Sequence, residues 1–299
     1  MAAVDKALDV KSRDLRRGLR VVLTYGLMVV FAFIFLFPTV FMLVSSFKED
    51  ESQVTSDMST FFAFIPRGEL GLKNFQDVFA NVGFPRLMFN SVFIVLTTVL
   101  LGLLINSLMA YALARFRFRG RGLLLSVVIS LIIIPFEAVA VPLLLLVNQL
   151  PWFGGATSWL DTYHVQIIPF IADAFSIFLF YQFFINLPKD LEEAALVDGA
   201  SLLRIYWNIV VPLSRPVFAT VAILQFITRW NDFLWPLMVT RGPQVRPLMI
   251  GMQQYFGLDP KIWGDIMAFA AMITILVLIV FILFQRWFVR SVASTGIKG

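Results

Sequence analysis

A few ionisable, amide and aromatic side chains stand inside apolar stretches of this sequence, where their chemistry needs an explanation. They are Glu137, Asp173, Arg229, Trp230, Asn231 and Asp232. An aromatic ring that stacks on a sugar ring, beside carboxylate and amide groups that take its hydroxyls, is the expected chemistry of a site for a neutral carbohydrate. A structural interpretation stays open beside it. In that interpretation Arg229 neutralises Glu137 or Asp232 and holds helices together, and Trp230 and Trp235 are aromatic residues of a membrane interface.

The sequence lacks the residues that several classes of catalytic and binding site require. The chain has no cysteine and a single histidine, His164, so a thiolate nucleophile is excluded and a metal site has little basis. No stretch matches the phosphate loop Gly-x-x-x-x-Gly-Lys-Ser/Thr, which indicates that the chain does not itself bind ATP. We therefore expect no catalytic residue, no metal and no cofactor. The basic residues stand in short clusters beside apolar runs, which is typical of orientation signals and not of nucleic-acid binding.

The elements that position these residues follow from hydrophobicity. The sequence has 299 residues, of which 59% are hydrophobic and 14% charged, whereas about a quarter of the residues of a soluble domain are charged. A helix that crosses the hydrocarbon core needs roughly 20 apolar residues. The sequence therefore predicts an all-α integral membrane protein with six transmembrane helices, at about 21–44, 91–113, 123–147, 165–185, 217–239 and 267–288.

The distribution of basic residues predicts the orientation. Bases cluster before the first crossing, in the segment RFRFRGR after the second, and at the end of the last. With six crossings these clusters fall on one side, which the positive-inside rule assigns to the cytoplasm. We expect a cytoplasmic arm at 1–20, a membrane domain at 21–289 and a cytoplasmic tail at 290–299, so that both termini are inside.

One polar stretch, LPKDLEEAALVDGASLLRIYWNIVVPLSRP at 187–216, interrupts the apolar sequence on the predicted cytoplasmic side. Pro188 and the acids after it favour the start of a helix. Gly199 is suited to the left-handed conformation that ends a helix, and Ser201 to the cap of a second one. Small residues beside acids favour docking in a groove of another protein. A solvated loop helix with no partner is the alternative.

The same stretch resembles the Glu-Ala-Ala loop of ATP-binding-cassette importer permeases. The residues that match that pattern and its spacing are Glu193, Ala194, Ala195, Gly199, Ile209 and Pro212, and Asp198 and Ala200 complete the Asp-Gly-Ala form typical of carbohydrate importers. The segments IPFEAVAVPLLLL, FLFYQFFINLPKDLEEAA, RWNDFLWPL and the terminal GIKG are similar to the maltose-type second permease of that family. The N-terminal arm and the first loop carry little recognisable pattern.

The resemblance implies a permease subunit of a binding-protein-dependent sugar importer in the bacterial inner membrane, and not an enzyme. It implies that 187–216 forms a coupling helix seated on a cytoplasmic ATPase dimer, with a second permease and an extracytoplasmic solute-binding protein as further partners. It also implies that the tail 296–299 extends toward the ATPase, that 241–265 probes the binding protein, and that the second permease makes most substrate contacts. The same permease type acting on a polyol, glycerol phosphate or another solute is the alternative. A secondary transporter is less favoured, because no repeated halves are evident.

Overall fold

The computed structural model describes residues 2–152, 155, 157–257 and 259–295, with side chains described from residue 18 to residue 283 of these ranges. The described chain is helical, and its α-helices are numbered here in chain order. The first eight are α1 (Ala2–Ser46), α2 (Glu51–Asp57), α3 (Lys73–Asn81), α4 (Phe84–Arg115), α5 (Arg121–Ile133), α6 (Phe136–Val147), α7 (Tyr163–Ile167) and α8 (Ala174–Ile185). The others are α9 (Asp190–Val197), α10 (Leu202–Ile205), α11 (Val211–Leu213), α12 (Arg215–Trp230), α13 (Leu234–Val239), α14 (Leu248–Phe256) and α15 (Trp263–Thr295). Short 3₁₀ helices cover Phe61–Phe64 and Ile168–Phe170, and a π-helix covers Tyr206–Val210.

The all-α membrane class predicted from the sequence is confirmed. Four stretches of the described chain are long and apolar enough to cross a membrane, namely Gly18–Ser46, Phe84–Arg115, Tyr163–Ile185 and Trp263–Leu283. The number rises to six if each of two bent helix pairs counts as one crossing. The structure therefore supports four to six crossings.

The third predicted crossing, 123–147, is not one straight helix. It consists of α5 and α6, whose axes are bent by 105°. The break falls at Ile134 and Pro135, which both have extended backbone conformations. Proline has no N–H to donate, and its ring disfavours a helical conformation in the preceding residue, so the helix ends there.

The fifth predicted crossing, 217–239, is also interrupted. Helix α12 ends at Trp230 and α13 starts at Leu234, so the predicted continuous helix is wrong over residues 231–233. The pair that passes the length and composition test is instead Leu202–Leu213 with α12, bent by 79°. Hydropathy extends across both breaks because it measures composition and not straightness.

The chain divides into two compact units, Met1–Val78 with Leu258–Thr274 and Phe79–Gly257 with Ile275–Gly299. In the first unit, the apolar side chains of α1 from Leu19 to Phe37 are exposed. A helix that is apolar on every side suits a lipid environment.

The loop after α1 holds the charged cluster that we call the Lys48 network, made of Lys48, Asp57 and Arg67. The Lys48 side chain is completely buried, and its Nζ donates to Asp57 Oδ2 at 2.8 Å and to the Phe62 carbonyl oxygen at 2.8 Å. The Arg67 guanidinium donates to the same carboxylate and lies 3.8 Å from the centre of the Phe62 ring. Hydrogen bonds from Arg67, and next from Lys48, hold the pKa of Asp57 well below its usual range.

The start of α15 is attached to the same unit by a carboxylate. Glu51 accepts hydrogen bonds from the backbone N–H groups of Trp263 at 2.8 Å and Gly264 at 3.0 Å. These N–H groups have no partner within the helix, and a negative charge at this end of a helix is favourable. The contact therefore fixes where α15 begins.

The second unit is organised around α4, which contacts α7, α8, α12 and α14. One core cluster contains α4 residues Ala110, Tyr111, Leu113 and Ala114 together with residues from α5, α8, α12 and the segment 205–210. Buried polar residues such as Asn106 and Ser107 lie on the same helix. Small and hydrogen-bonding residues are the usual contacts between membrane helices, and they let α4 pack closely against its neighbours.

Candidate functional site

The polar stretch forms a helix, a sharp turn and a second helix, which we call the α9–α10 turn (residues 190–205). Helix α9 ends in two backbone hydrogen bonds, from Ala200 N to Ala195 O at 2.9 Å and from Gly199 N to Leu196 O at 3.0 Å. This is the pattern of a Schellman motif, which needs a left-handed residue, and Gly199 supplies it with φ of +78°. Ser201 caps α10 by accepting from Arg204 N at 3.3 Å. Both conformational predictions from the sequence are confirmed.

Most of the residues that match the family pattern on α9 and the turn are exposed. Glu193, Ala194, Asp198 and Gly199 are exposed, whereas Ala195 and Ala200 are half-buried and pack against the core cluster of the second unit. The apolar side chains Leu191, Leu196 and Val197 are also exposed, Val197 to 88%. The turn thus presents acids, small residues and aliphatic groups together on one surface.

The second arm of the stretch contains the remaining two residues of the pattern, Ile209 and Pro212. Ile209 lies in the π-helix and packs against the core cluster, and Pro212 lies in the exposed first turn of α11. Pro212 has no N–H, so it cannot donate to the carbonyl four residues before it. One residue earlier, the N–H of Val211 bonds to Tyr206 O, five residues back, which is the hydrogen-bond pattern of a π turn.

One residue of the turn was not singled out from the sequence. Glu192, directly before the matching Glu193, points inward, and its Oε1 lies 2.7 Å from Arg115 Nε at the end of α4. Tyr111 donates to its other oxygen at 3.1 Å. The signal available in the sequence was that Arg115 ends a long apolar stretch on the predicted cytoplasmic side, where the successive acids Glu192 and Glu193 also lie. That signal does not distinguish Glu192 from Glu193.

A second candidate site, here the Arg229 pocket, lies among α4, α8 and α12. It is a cavity of about 250 Å³ lined by Thr98, Pro169, Phe170, Ala172, Asp173, Phe175, Ser176, Leu224, Gln225, Thr228 and Arg229. Arg229 lies 4.1 Å from the centre of the Phe170 ring and donates to Asp232 Oδ2 at 3.0 Å. Asp173 caps α8 by accepting from Ser176 N at 2.7 Å. The structure therefore brings three of the predicted residues together, Asp173, Arg229 and Asp232.

Asp232 is joined to this pocket through Arg229 and is not itself among the residues that line it, and the other three predicted residues do not line it either. Glu137 is exposed and has no ion-pair partner among the described side chains, so the hypothesis that Arg229 neutralises it is wrong and the pairing with Asp232 is the one present. Asn231, directly after α12, is exposed and its side-chain amide donates to Ile227 O of that helix at 2.8 Å. Trp230 is buried, and its ring stacks on that of Phe226 with 5.5 Å between the ring centres.

The membrane-interface interpretation of Trp230 and Trp235 is not supported either. Trp235 is fully buried, and its indole N–H donates to Val165 O at 2.9 Å. Interface tryptophans lie at the headgroup level on the lipid-facing surface, whereas both of these rings lie inside the second unit.

Sequence reasoning missed the uncharged polar lining of the pocket. Thr98, Ser176, Gln225 and Thr228 supply hydroxyl and amide groups, and Gln225 Nε2 donates to Ser176 Oγ at 3.1 Å. The signal available was polar residues at 225, 228 and 229 of α12, three or four positions apart from the first, which places them near one face of the helix. The amide of Asn106 on α4 joins the start of α8, donating to Ile171 O at 3.0 Å and accepting from Asp173 N at 2.9 Å.

The loop predicted to probe a binding protein, 241–265, is partly held by the second unit. Asn90 Nδ2 donates to Gln244 O at 3.0 Å and to Arg246 O at 2.8 Å, and Asp161 accepts from the backbone N–H groups of Arg241 and Gly242. The predicted tail residues 296–299 lie outside the described residues. Within the described ranges there is no group of three His, Asp or Glu side chains placed to hold a metal ion.

Comparison with known proteins assigns the fold and the family. The family model described as "Binding-protein-dependent transport system inner membrane component" matches residues 99–294. The arabinooligosaccharide transport permease of Halalkalibacterium halodurans is 34% identical, over 90% of this chain and 93% of that protein. The trehalose/maltose transport permease of Thermococcus litoralis is 32% identical, over 94% and 97% respectively.

A solved structure shares the fold. The crystal structure of a bacterial ABC transporter involved in the import of alginate superposes with a TM-score of 0.76 at 24% identity, over 89% of this chain and 95% of that chain. Together with the apolar helices, the family match makes this a multi-pass inner membrane protein. The chain belongs to the family of binding-protein-dependent transport system inner membrane components, whose members are transport subunits and not enzymes.

Proposed function

We propose that this chain is one of two membrane subunits of an ATP-driven importer for neutral carbohydrate, with the α9–α10 turn as the docking element for a separate ATPase. The observation that carries the proposal is the exposure of the turn. Val197, Leu191 and Leu196 are exposed beside Glu193 and Asp198 on a helix whose other face is fixed by Glu192. Exposed aliphatic groups beside charges on a short, rigidly held helix suit insertion into a groove of another protein.

Coupling is assigned to Glu193, Ala194, Ala195, Asp198, Gly199, Ala200, Ile209 and Pro212. The exposed members make the contact with the ATPase, while Ala195, Ala200 and Ile209 support the turn from the core side. The clusters of basic residues support a cytoplasmic location for the turn and for both termini. The family description supports a solute-binding protein as a partner, and a second permease and an ATPase dimer complete the proposed assembly.

The Arg229 pocket is assigned to the translocation path. Its lining combines hydroxyl, amide and carboxylate groups with the Phe170 ring, which suits a solute rich in hydroxyl groups. The positive charge of Arg229 is already paired with Asp232 and stacked on Phe170, so the described residues that line the pocket leave no cation free for a phosphate. The names of the two relatives, which specify arabinooligosaccharides and trehalose or maltose, favour the same substrate class.

Reconstitution tests this function. The chain is co-expressed with the second permease and ATPase of its own system, placed in liposomes, and supplied with the solute-binding protein and one solute at a time. We expect ATP hydrolysis and uptake to be stimulated by arabino-oligosaccharides, maltose or trehalose. Stimulation by glycerol 3-phosphate alone would replace the substrate class, and failure of the ATPase to co-purify with the chain would overturn the docking assignment.

A further inference from the structure

One face of α4 contacts both arms of the polar stretch. Ser107, Tyr111 and Arg115 are spaced by four residues, so their side chains lie along one stripe of the helix. Arg115 and Tyr111 contact Glu192 on α9, and Ser107 and Tyr111 contact Tyr206 at the start of the π-helix. A single helix therefore holds the turn from both sides.

The contact with α9 is an almost buried ion pair. The Arg115 and Glu192 side chains are only 6% and 13% exposed, and Arg115 Nη2 also donates to Leu187 O at 2.9 Å. Both carboxylate oxygens of Glu192 have a neighbour, since Tyr111 donates to the second one. An ion pair shielded from water in this way resists separation, because each charge left alone would be buried without a partner.

The contact with the second arm is made by Tyr206. Its hydroxyl lies 2.6 Å from Ser107 Oγ, and its ring centre lies 5.4 Å from that of Tyr111. Tyr206 and Ser107 are both buried. The second arm is thus joined to α4 at a point one helical turn before the first arm.

Further along α4 the helix reaches the Arg229 pocket. Thr98 lines the pocket, and Asn106 holds the backbone of Ile171 and Asp173 at the start of α8. Gly102 allows the close approach of α12, because a Cβ there would lie 2.6 Å from Gln225 Oε1. Thr98 and Arg115 are 17 residues apart on one unbroken helix, which corresponds to about 26 Å.

We propose that Arg115, Tyr111 and Glu192 lock α9 to α4, so that α4 carries the movement of the α9–α10 turn to the Arg229 pocket. The proposal rests on the proposed function of the turn and assigns these three as positioning residues that touch neither the ATPase nor the solute. Displacement of α9 by a docked ATPase would move α4 with it. The start of α8 would follow through Asn106, and α12 through the packing at Gly102.

Charge reversal tests the lock in the reconstituted importer. Arg115→Glu and Glu192→Arg place like charges together, and we expect each to lower the number of solute molecules imported per ATP hydrolysed by roughly tenfold, since each leaves a buried charge unpaired. The ATPase still co-purifies, because Glu193 and the exposed turn are unchanged. The double variant Arg115→Glu with Glu192→Arg restores most of the coupling. Arg117→Glu, the same charge change at an exposed side chain two residues away, leaves it at the wild-type value.

A distance measurement gives a readout that does not depend on transport. The sequence has no cysteine, so spin labels can be placed at Met109→Cys on α4 and Asp190→Cys on α9, which are both exposed. We expect a narrow distance distribution in the purified chain, a broad one after Arg115→Glu, and a narrow one again in the double charge swap. If a single variant fails to fold, Tyr111→Phe supplies a milder loss, with a smaller broadening.

The outcomes separate the two hypotheses. Equal distributions in the wild type and the single variants would overturn the lock, as would a double swap that behaves no better than the single variants. A narrow wild-type distribution in a chain that never binds an ATPase would leave the lock intact and refute the proposed function. Uncoupling by Arg115→Glu with an unchanged distance would show that Arg115 acts elsewhere, and this too would overturn the lock.

Discussion

The Lys48 network and the α9–α10 turn use acids and bases in opposite ways. In the network, Lys48 and Arg67 both donate to Asp57, and the Lys48 side chain has no exposed surface. In the turn, Glu193 and Asp198 are exposed, and only Glu192 has an ion-pair partner among the described residues of the turn. Charges that satisfy one another inside a fold specify its shape, whereas charges left open at a rigid surface are available to a partner.

Breaking the network gives the largest expected effect on stability. Lys48→Met removes a completely buried cation and leaves the Asp57 carboxylate to the Arg67 guanidinium, and we expect the melting temperature to fall by roughly 10 °C. Arg67→Met is the matched control, since the Arg67 side chain is 43% exposed and water replaces part of its contact. Thermal unfolding in detergent measures both. Equal losses would show that burial does not separate the two cations.

A change in the turn should instead affect assembly. Gly199→Asp introduces a residue that tolerates the left-handed conformation but adds a charge at the exposed turn. We expect uptake to fall about tenfold or more, equivalent to about 1.4 kcal/mol of docking free energy. The melting temperature should stay near that of the wild type. Gly199→Asn controls for bulk without charge, and Gly199→Ala for backbone strain at φ of +78°. If the Gly199→Asp chain bound the ATPase as well as the wild type does, the α9–α10 turn would not be a docking surface, and its contrast with the Lys48 network would be wrong.

The Arg229 pocket should give an intermediate result. Arg229 and Asp232 are 19% and 17% exposed, so we expect Asp232→Ala to cost about 1–3 kcal/mol of stability, between an exposed and a fully buried pair. Arg229 keeps its stacking on Phe170, and the KM for uptake or the range of solutes should change more than folding does. Asp232→Asn, which preserves shape, is the control. Loss of the folded complex in both variants would make the pair purely structural.

The smallest effect within the physiological range is expected from pH. Because the pKa of Asp57 is lowered by Arg67 and Lys48, the stability that it contributes is fully present above the ordinary value of about 4 and is lost only as the pH falls below that value toward the folded pKa. We therefore expect the stability of the loop that contains α2, and the protection of its amides from exchange, to stay constant between pH 7 and about pH 5. Hydrogen exchange of the α2 amides against pH measures this. A loss of protection near neutral pH would contradict the assignment.

The features predicted correctly from the sequence rest on local chemistry. Gly199 and Ser201 act through hydrogen bonds to residues at most four positions away, so the adjacent sequence is sufficient to predict their conformations. The partners of Lys48 and Glu192 lie 9 and 77 positions away in sequence, and no periodicity encodes such a pairing. Glu193 matches a family pattern, whereas Glu192 became visible only when the position of Arg115 was known.

Two of the predicted crossings differ from the structure, where apolar composition does not imply a straight helix. Residues 123–147 are apolar throughout, yet the helix breaks at Pro135. Proline inside an apolar run is tolerated when neighbours satisfy the freed carbonyls, so the sequence left both a kink and a break possible. Around the Arg229 pocket, the sequence indicated which polar residues stand inside apolar stretches but not that Glu137 and Asn231 are exposed and do not line the pocket.

The π-helix at Tyr206–Val210 also absorbs one residue more than a regular helix would hold there. In a regular α-helix each residue turns the chain by about 100°, so removing one residue rotates everything after it by that angle. Removing one residue from the wide turn instead restores the ordinary helical pattern and leaves Pro212 and the entry into α12 in nearly the same rotational register. This segment should therefore tolerate the loss of one residue better than the regular helices beside it do.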